Sequence, residues 1–318
     1  MAASGGQRFR AGQPGIALKV YALLAFLFLY IPIVMIVIFS FNQSRLGAVW
    51  TGFTLDWYRT LFQNETVLLA TRNTLIIALA STAISTVVGT LLGAGLARYA
   101  FPGKRLFLWF MYVPVVIPEI IMAVSLILFY GLVSQNSGAW ANSLLAYSQE
   151  AGGLLALLAS GLGQLARQVS SFFQLGLGTV ILAHITFQIP FVAIVVRSRM
   201  AGFDQSLEEA ARDLGANEVN VFRYVTLPLI MPGVIAGGLL AFTLSIDDFV
   251  ITFFTSGPGT TTLPVYIFSA VKRGVSPDIN ALSTLIILVT VVALLLFNWL
   301  QSRTTPSSAA GGSSREDS

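Results

Sequence analysis

Three carboxylates stand inside runs that otherwise read as lipid-soluble: Glu119, Asp247 and Asp248. An acid near the centre of a bilayer costs about 2.5–3.5 kcal/mol on insertion scales, so each must face something polar. No Lys or Arg lies between Leu106 and Arg167 or between Tyr224 and Val271, so the flanking helix sequence offers these acids no permanent cation. A passing cation would fill that role, and a molecule with several separated ammonium groups would meet the carboxylates in succession. The competing reading is local: Asp247 and Asp248 would bond backbone or hydroxyls such as Ser245, or one would be protonated. Adjacent helical positions differ by about 100°, so the two aspartates cannot face one lumen equally. Glu119 follows Pro114 and Pro118, whose kinking frees carbonyls that a carboxylic acid could also bond. Trp109, Tyr112, Phe129 and Tyr130 are candidates for cation–π stacking, although packing explains aromatics in such runs as well. The single histidine, His184, reads as a packing hydrogen bonder.

A second group of residues is polar without looking catalytic. EEAARDLGANEVNVFRYVTLPLI, Glu208 to Ile230, gathers six charges in a chain of which only 10% is charged. Ser206 followed by Glu209 fits a capping box and starts a helix. Leu207, Ala210, Ala211 and Leu214 fall on one face, with Glu208, Arg212 and Asp213 turned away. Gly215 suits a left-handed C-terminal position, Asn217 caps a second short helix, and Pro228 and Pro232 end it. A helix lying on lipid would pair bulky apolar residues with a basic face. This one pairs alanines with mixed charges, which suits close approach by another protein.

The elements that carry these residues follow from composition. Of 318 residues 55% are hydrophobic, mean hydropathy is +0.79, and there is no cysteine, hence no disulfide, thiolate metal site or thiol nucleophile. Apolar runs of membrane-crossing length fall near 19–41, 73–97, 106–130, 177–196, 232–256 and 280–300, predicting an all-α, polytopic membrane protein with six transmembrane helices in a single domain, 16–302. They lack the two-residue alternation of barrel strands. The first run is long for a secretory signal and is read as a retained helix. Residues 1–15 and 303–318 read as disordered tails. With the N-terminus inside, the inner segments hold Arg8, Arg10, Lys19, Arg98, Lys104, Arg105, Arg197, Arg199, Arg212, Arg223, Arg303 and Arg315, twelve of the 18 basic residues. That bias places both termini and the 197–231 loop in the cytoplasm. Residues 131–176, with Leu154, Leu155, Leu158, Leu162, Leu165 and Val169 at helical spacing, read as an outer amphipathic helix, a seventh span being the alternative. Gly89 with Gly93, and Gly233 with Gly237, offer close helix packing, within the chain or against a partner.

Glu209, Ala210 and Ala211, then three residues to Gly215, nine to Val225, and Leu227-Pro228 resemble the EAA loop of the permease subunits of ATP-binding-cassette importers, with Val for the more usual Ile. RNTLIIALASTAISTVVGTLLGAGLARYAFPGKR and SIDDFVITFFTSGPGTTTLPVYIFSAVKRGVSPDINALST extend the likeness over nearly the whole chain, most closely to the permeases for spermidine and putrescine. The segment around 131–176 is longer than that family implies. The resemblance implies a type I importer permease fold in the bacterial cytoplasmic membrane. The EAA loop would be a coupling helix seated in a cleft of an ATPase subunit. A second, PotB-like permease subunit, two ATPase copies and an extracytoplasmic polyamine-binding protein are the implied partners. No G-x-x-x-x-G-K-[ST] phosphate loop occurs here, so ATP is expected on the partner ATPase and no cofactor or metal on this chain, which is not itself an enzyme. The candidate substrate path is Glu119, Asp247 and Asp248. An importer of another small solute, or a cation channel, remains the alternative. An intramembrane aspartyl protease does not fit, because Asp247 and Asp248 are neighbours and G-x-G-D is absent.

Overall fold

The computed structural model describes residues 15–44, 49–202, 204–274 and 276–304; Arg45 and most of both predicted disordered tails lie outside them. In chain order the helices are α1 (Ile16–Phe39), α2 (Asp56–Gln63), α3 (Glu65–Arg98), α4 (Lys104–Val116), α5 (Glu119–Glu150), α6 (Gly153–Phe172), α7 (Leu177–Met200), α8 (Ser206–Asp213), α9 (Glu218–Val221), α10 (Leu227–Ile246), α11 (Val250–Thr255), α12 (Leu263–Arg273) and α13 (Pro277–Thr304). A π-helical turn, Phe222–Thr226, joins α9 to α10. The only strand-like feature among the described residues is a single bridge between Asn42 and Phe53. Five helices are long and apolar enough to cross a membrane: Ile16–Phe39, Glu65–Arg98, Glu119–Glu150, Leu177–Met200 and Glu218–Ile246. The 28-residue α13, with its apolar Pro277–Val292 stretch, is compatible with a sixth.

The chain divides into two compact units, one formed by residues up to Asn64 and from Ala270 onward, the other by Glu65–Ser269. In the first, α13 packs with α1 and α2. In the same unit Asn42, which is fully buried, donates to the Val49 carbonyl and accepts from the Thr51 amide. Phe41 stacks on Phe53, and the Trp57 indole donates to the Asn42 carbonyl.

In the second unit α7 is the axis, because its small and β-branched positions let α3 and α10 approach from different sides. A methyl group on Gly89 would lie 2.6 Å from Val192 Cβ, and one on Gly93 only 2.5 Å from the Ala193 carbonyl oxygen. From α10, Gly233 sits against Arg199 and Gly237 against Val192. Both glycine pairs therefore serve packing within the chain, with Val192 wedged between two helices.

Four expectations change. The predicted 106–130 span is not one helix: Pro118 lacks an amide proton and pushes Ile117 into extended backbone (φ −70, ψ 136), so α4 ends at Val116 and α5 restarts at Glu119. The predicted 232–256 span also breaks, since α10 stops at Ile246 and α11 begins at Val250, but it starts earlier than expected. Pro228 and Pro232 do not end the preceding helix. Pro228 occupies the first turn of α10, where a missing amide costs little, and the π turn carries the helix through from Glu218 to Ile246. Residues 131–176 hold not one amphipathic helix but the far part of α5 and an antiparallel partner, α6. Their seam is made by small residues: Ala141 on α5 and Ala159 and Gly163 on α6 are buried, while Leu154, Leu155, Leu158, Leu162 and Leu165 face outward. The leucine stripe marks α6, and its small-residue face is the one that packs on α5.

Candidate functional site

Two regions hold the residues singled out from sequence. The first is the pair of helix breaks. Asp248 lies just before the N-cap residue Phe249 of α11, and its carboxylate covers the first turn, accepting the Ile251 amide at 3.2 Å, the Thr252 amide at 2.8 Å and the Thr252 hydroxyl at 2.7 Å. Four amides at a helix start have no partner within the helix, and a carboxylate there satisfies them. His184 Nε2, from α7, lies 3.3 Å from the same carboxylate, whose side chain is 5% exposed. Its oxygens are engaged by backbone, Thr252 and His184, the local bonding that the sequence offered as the alternative to a substrate path, and one of these partners comes from a distant helix.

His184 is itself fixed at both nitrogens, Nδ1 to Ser245 Oγ at 2.7 Å and Nε2 to Thr252 Oγ1 at 2.9 Å. Ser245 continues to Ser81 on α3 at 3.2 Å, Ser81 accepts from Gln188 Nε2, and Gln188 Oε1 accepts from Ser85. A buried polar chain thus runs from α3 through α7 to the break after α10. Every member has a partner, the condition under which such a chain rigidifies a core. Sequence reasoning gave His184 its packing bond but missed Ser81, Ser85 and Gln188. Their only signal was a polar residue every third or fourth position on α3 and α7.

Asp247 and Glu119 behave differently. Both are exposed, and Glu119 at the start of α5 lies within electrostatic reach of Asp247 and Asp248. The two helix breaks thus bring the three acids into one neighbourhood and leave two open. Of the aromatic candidates, Tyr130 is buried against Phe129 and Phe173 as packing, whereas Trp109 and Tyr112 are exposed. Along α10, at 1.5 Å per residue, the acids lie about 30 Å from the start of that helix.

The second region is the loop between α7 and α10. α8 begins at Ser206 as expected, but the Ser206–Glu209 box does not form; Asp204 accepts the Ser206 amide at 3.0 Å instead. That bond holds the Asp204 carboxyl below its ordinary range. Gly215, at φ 86, terminates α8 in a Schellman arrangement, with the Ala216 amide on the Ala211 carbonyl at 3.0 Å and the Gly215 amide on the Arg212 carbonyl at 2.8 Å. Asn217 caps α9 through the Asn220 amide. Arg212 reaches across the turn to Glu218 with two bonds, 2.7 and 3.2 Å, lowering the Glu218 carboxyl and raising the guanidinium.

Leu207, Glu209, Ala210 and Gly215 are exposed, Leu214 is 89% exposed, and Ala211 is half-buried. Val219 and Tyr224 add to this uncovered apolar surface. Leu227 and Pro228 open α10 behind it. Glu208 was expected to point away with Arg212 and is instead the one buried residue of α8, at 3% exposure. It is paired with Arg98 at the end of α3 and accepts the Thr226 hydroxyl.

With this geometry in hand, comparison with known proteins is informative. Residues 85–307 match the family described as "Binding-protein-dependent transport system inner membrane component". The chain is 37% identical over 268 residues to the spermidine/putrescine transport system permease protein PotC of Escherichia coli (strain K12), covering 84% of this chain and 87% of that one. It is 41% identical over 269 residues to the putrescine transport system permease protein PotI of the same organism, covering 84% of each. To PotC of Haemophilus influenzae it is 36% identical over 276 residues, 87% of this chain and 93% of that one. The fold is similar to a chain in a crystal structure of a bacterial ABC transporter involved in the import of the acidic polysaccharide alginate (TM-score 0.64, 23% identity, 91% of this chain and 95% of that one). It is also similar to one in the same kind of transporter in complex with alginate pentasaccharide-bound periplasmic protein (TM-score 0.61, 21% identity, 88% and 91%).

Proposed function

The chain belongs to the inner membrane components of binding-protein-dependent transport systems, and from that premise we propose that it is a permease subunit through which an ATP-driven importer moves polyamines into the cell. The observation that carries the substrate class is the acidic neighbourhood at the two helix breaks, where Glu119 and Asp247 are exposed carboxylates with no Lys or Arg in the flanking helix sequence. Spermidine and putrescine are flexible chains of ammonium groups, and such groups are stabilised by carboxylates in a low-dielectric setting far more than in water. Relatives named for those substrates support the same reading.

In this account Asp247 and Glu119 contact the substrate and Asp248 fixes the geometry of the break. Energy enters through the loop. Glu209, Ala210, Ala211 and Gly215 form the surface that an ATPase subunit grips, and Leu227-Pro228 connect it to α10. Closure of two ATPase copies on ATP would drive two such loops, one here and one on a second permease subunit, and shift the helices between outward- and inward-open states. An extracytoplasmic binding protein supplies the polyamine. The loop and both termini face the cytoplasm, as the distribution of Lys and Arg indicates.

The test is reconstitution with a second permease subunit, the ATPase and the binding protein, followed by ATP hydrolysis with and without spermidine or putrescine. Stimulation by at least one polyamine is expected. Hydrolysis indifferent to every polyamine would remove the substrate assignment, and uptake that persists without hydrolysis would favour a channel.

A further inference from the structure

α8 presents nearly all of itself to solvent, yet its third residue is buried more deeply than most apolar side chains in the chain. Glu208 is 3% exposed, while the next residue, Glu209, is exposed. Burying a carboxylate is costly without partners, and Glu208 has two of different kinds. One oxygen meets the Arg98 guanidinium on the last residue of α3, and the other accepts the Thr226 hydroxyl. Thr226 is itself fully buried, and its position depends on the π turn Phe222–Thr226, which inserts one extra residue's width just before α10. Three elements thus meet at one carboxylate: the docking helix, the end of α3, and the turn that leads into α10.

We propose that Glu208 is a positioning residue, the pin that fastens the coupling helix to α3 and α10 so that displacement at the ATPase surface is carried into the transmembrane helices rather than absorbed by the loop. This rests on the importer reading above. The physical case is that α8 has no other fully buried side chain, so without the pin it keeps the covalent chain, its packing on α9 and the π turn, the half-buried Ala211 and the exposed Arg212–Glu218 pair. An exposed pair holds geometry weakly. A buried, charge-assisted contact with two partners does not slide, because any displacement strands a charge. The consequence runs along α10 to its end, Asp247 and Asp248, where the substrate is expected.

The test uses the fully assembled transporter. In Glu208→Gln, which keeps the shape and removes the charge, polyamine transported per ATP hydrolysed is expected to fall by about fivefold or more, the scale of ordinary coupling free energies, in a complex whose subunit ratio is normal. The exchanged pair Arg98→Glu with Glu208→Arg should recover most of that ratio. A purely architectural role would lower uptake and hydrolysis together and leave the ratio unchanged, which would overturn the proposal. If Glu208→Gln does not assemble, Thr226→Val keeps the ion pair and is read in the same way, with the same two outcomes. A substrate-independent arm separates this idea from the polyamine assignment. The chain has no cysteine, so spin labels on Gln205→Cys and Thr243→Cys, both exposed, report one distance. With Glu208 present that distance should be narrow and unaltered by ATP; with Gln at 208 it should broaden. A narrow distance in both would defeat the pin even if polyamines prove to be the wrong substrate.

Discussion

The chain contains two pairs of adjacent acids in its second unit, Glu208–Glu209 and Asp247–Asp248, and the same division holds in each: one member is buried and engaged, the other is exposed. Neighbouring residues near a helix end diverge by about 100°, so a pair cannot share an environment. The partners differ, and the difference is instructive. At the loop, the inward acid meets a permanent cation, Arg98, whose side chain keeps 15% exposure. At the break, the inward acid meets a histidine, the Thr252 hydroxyl and two helix amides. Hydrogen-bonding side chains and a helix N-terminus stand there where the loop has an arginine. In the function proposed above, the outward acids serve different visitors, a protein for Glu209 and a polyamine for Asp247.

Disrupting the scaffold shared by both pairs should have the largest effect. Gly93→Val places a branched side chain where a single methyl would already lie 2.5 Å from the Ala193 carbonyl oxygen. Overpacking of that kind costs about 1–3 kcal/mol or more, and the folded yield in detergent should collapse along with both regions. Within the break, Asp248→Asn should lower the thermal midpoint, since it weakens a cap and leaves His184 with an altered partner, a loss of about 1–3 kcal/mol. Asp247→Asn should leave that midpoint where it is. Equal thermal losses would show that the two aspartates are not divided as described. The smallest effect is expected at Arg212 and Glu218, which are exposed. Glu218 is held below its ordinary value by Arg212, so what the pair contributes is present above the usual carboxylate range and lost as pH falls through the lowered value. Arg212→Ala should therefore lower the thermal midpoint at neutral pH only slightly, the pair being solvent-exposed, and a large drop would place the weight of the loop on that pair instead of on Glu208.

The helical, polytopic class and the helix–turn–helix form of the 206–221 loop were legible because hydrophobic run length and Gly and Asn punctuation are local signals. Gly215 and Asn217 stand where their types demand, and the Gly89/Gly93 pair packs as small residues do. What sequence did not disclose depended on distant partners. Glu208 looked like a solvent-facing residue because nothing near it in the chain announces Arg98, and Asp248 looked unpartnered because His184 is 64 positions away. The two helix breaks were hidden for another reason: the apolar runs on either side of Pro118-Glu119 and of Asp247-Asp248 add up to membrane-crossing length, so run length merged what backbone geometry separates.

The central claim is that the exposed acid of the membrane pair faces a polyamine while its neighbour holds the break. Initial rates of ATP-driven spermidine uptake into proteoliposomes, wild type against Asp247→Asn at equal subunit content, test it most directly. The account predicts a loss of about tenfold or more, with the thermal midpoint preserved, as expected when a desolvated charge partner is removed. Uptake by Asp247→Asn at the wild-type rate would contradict it.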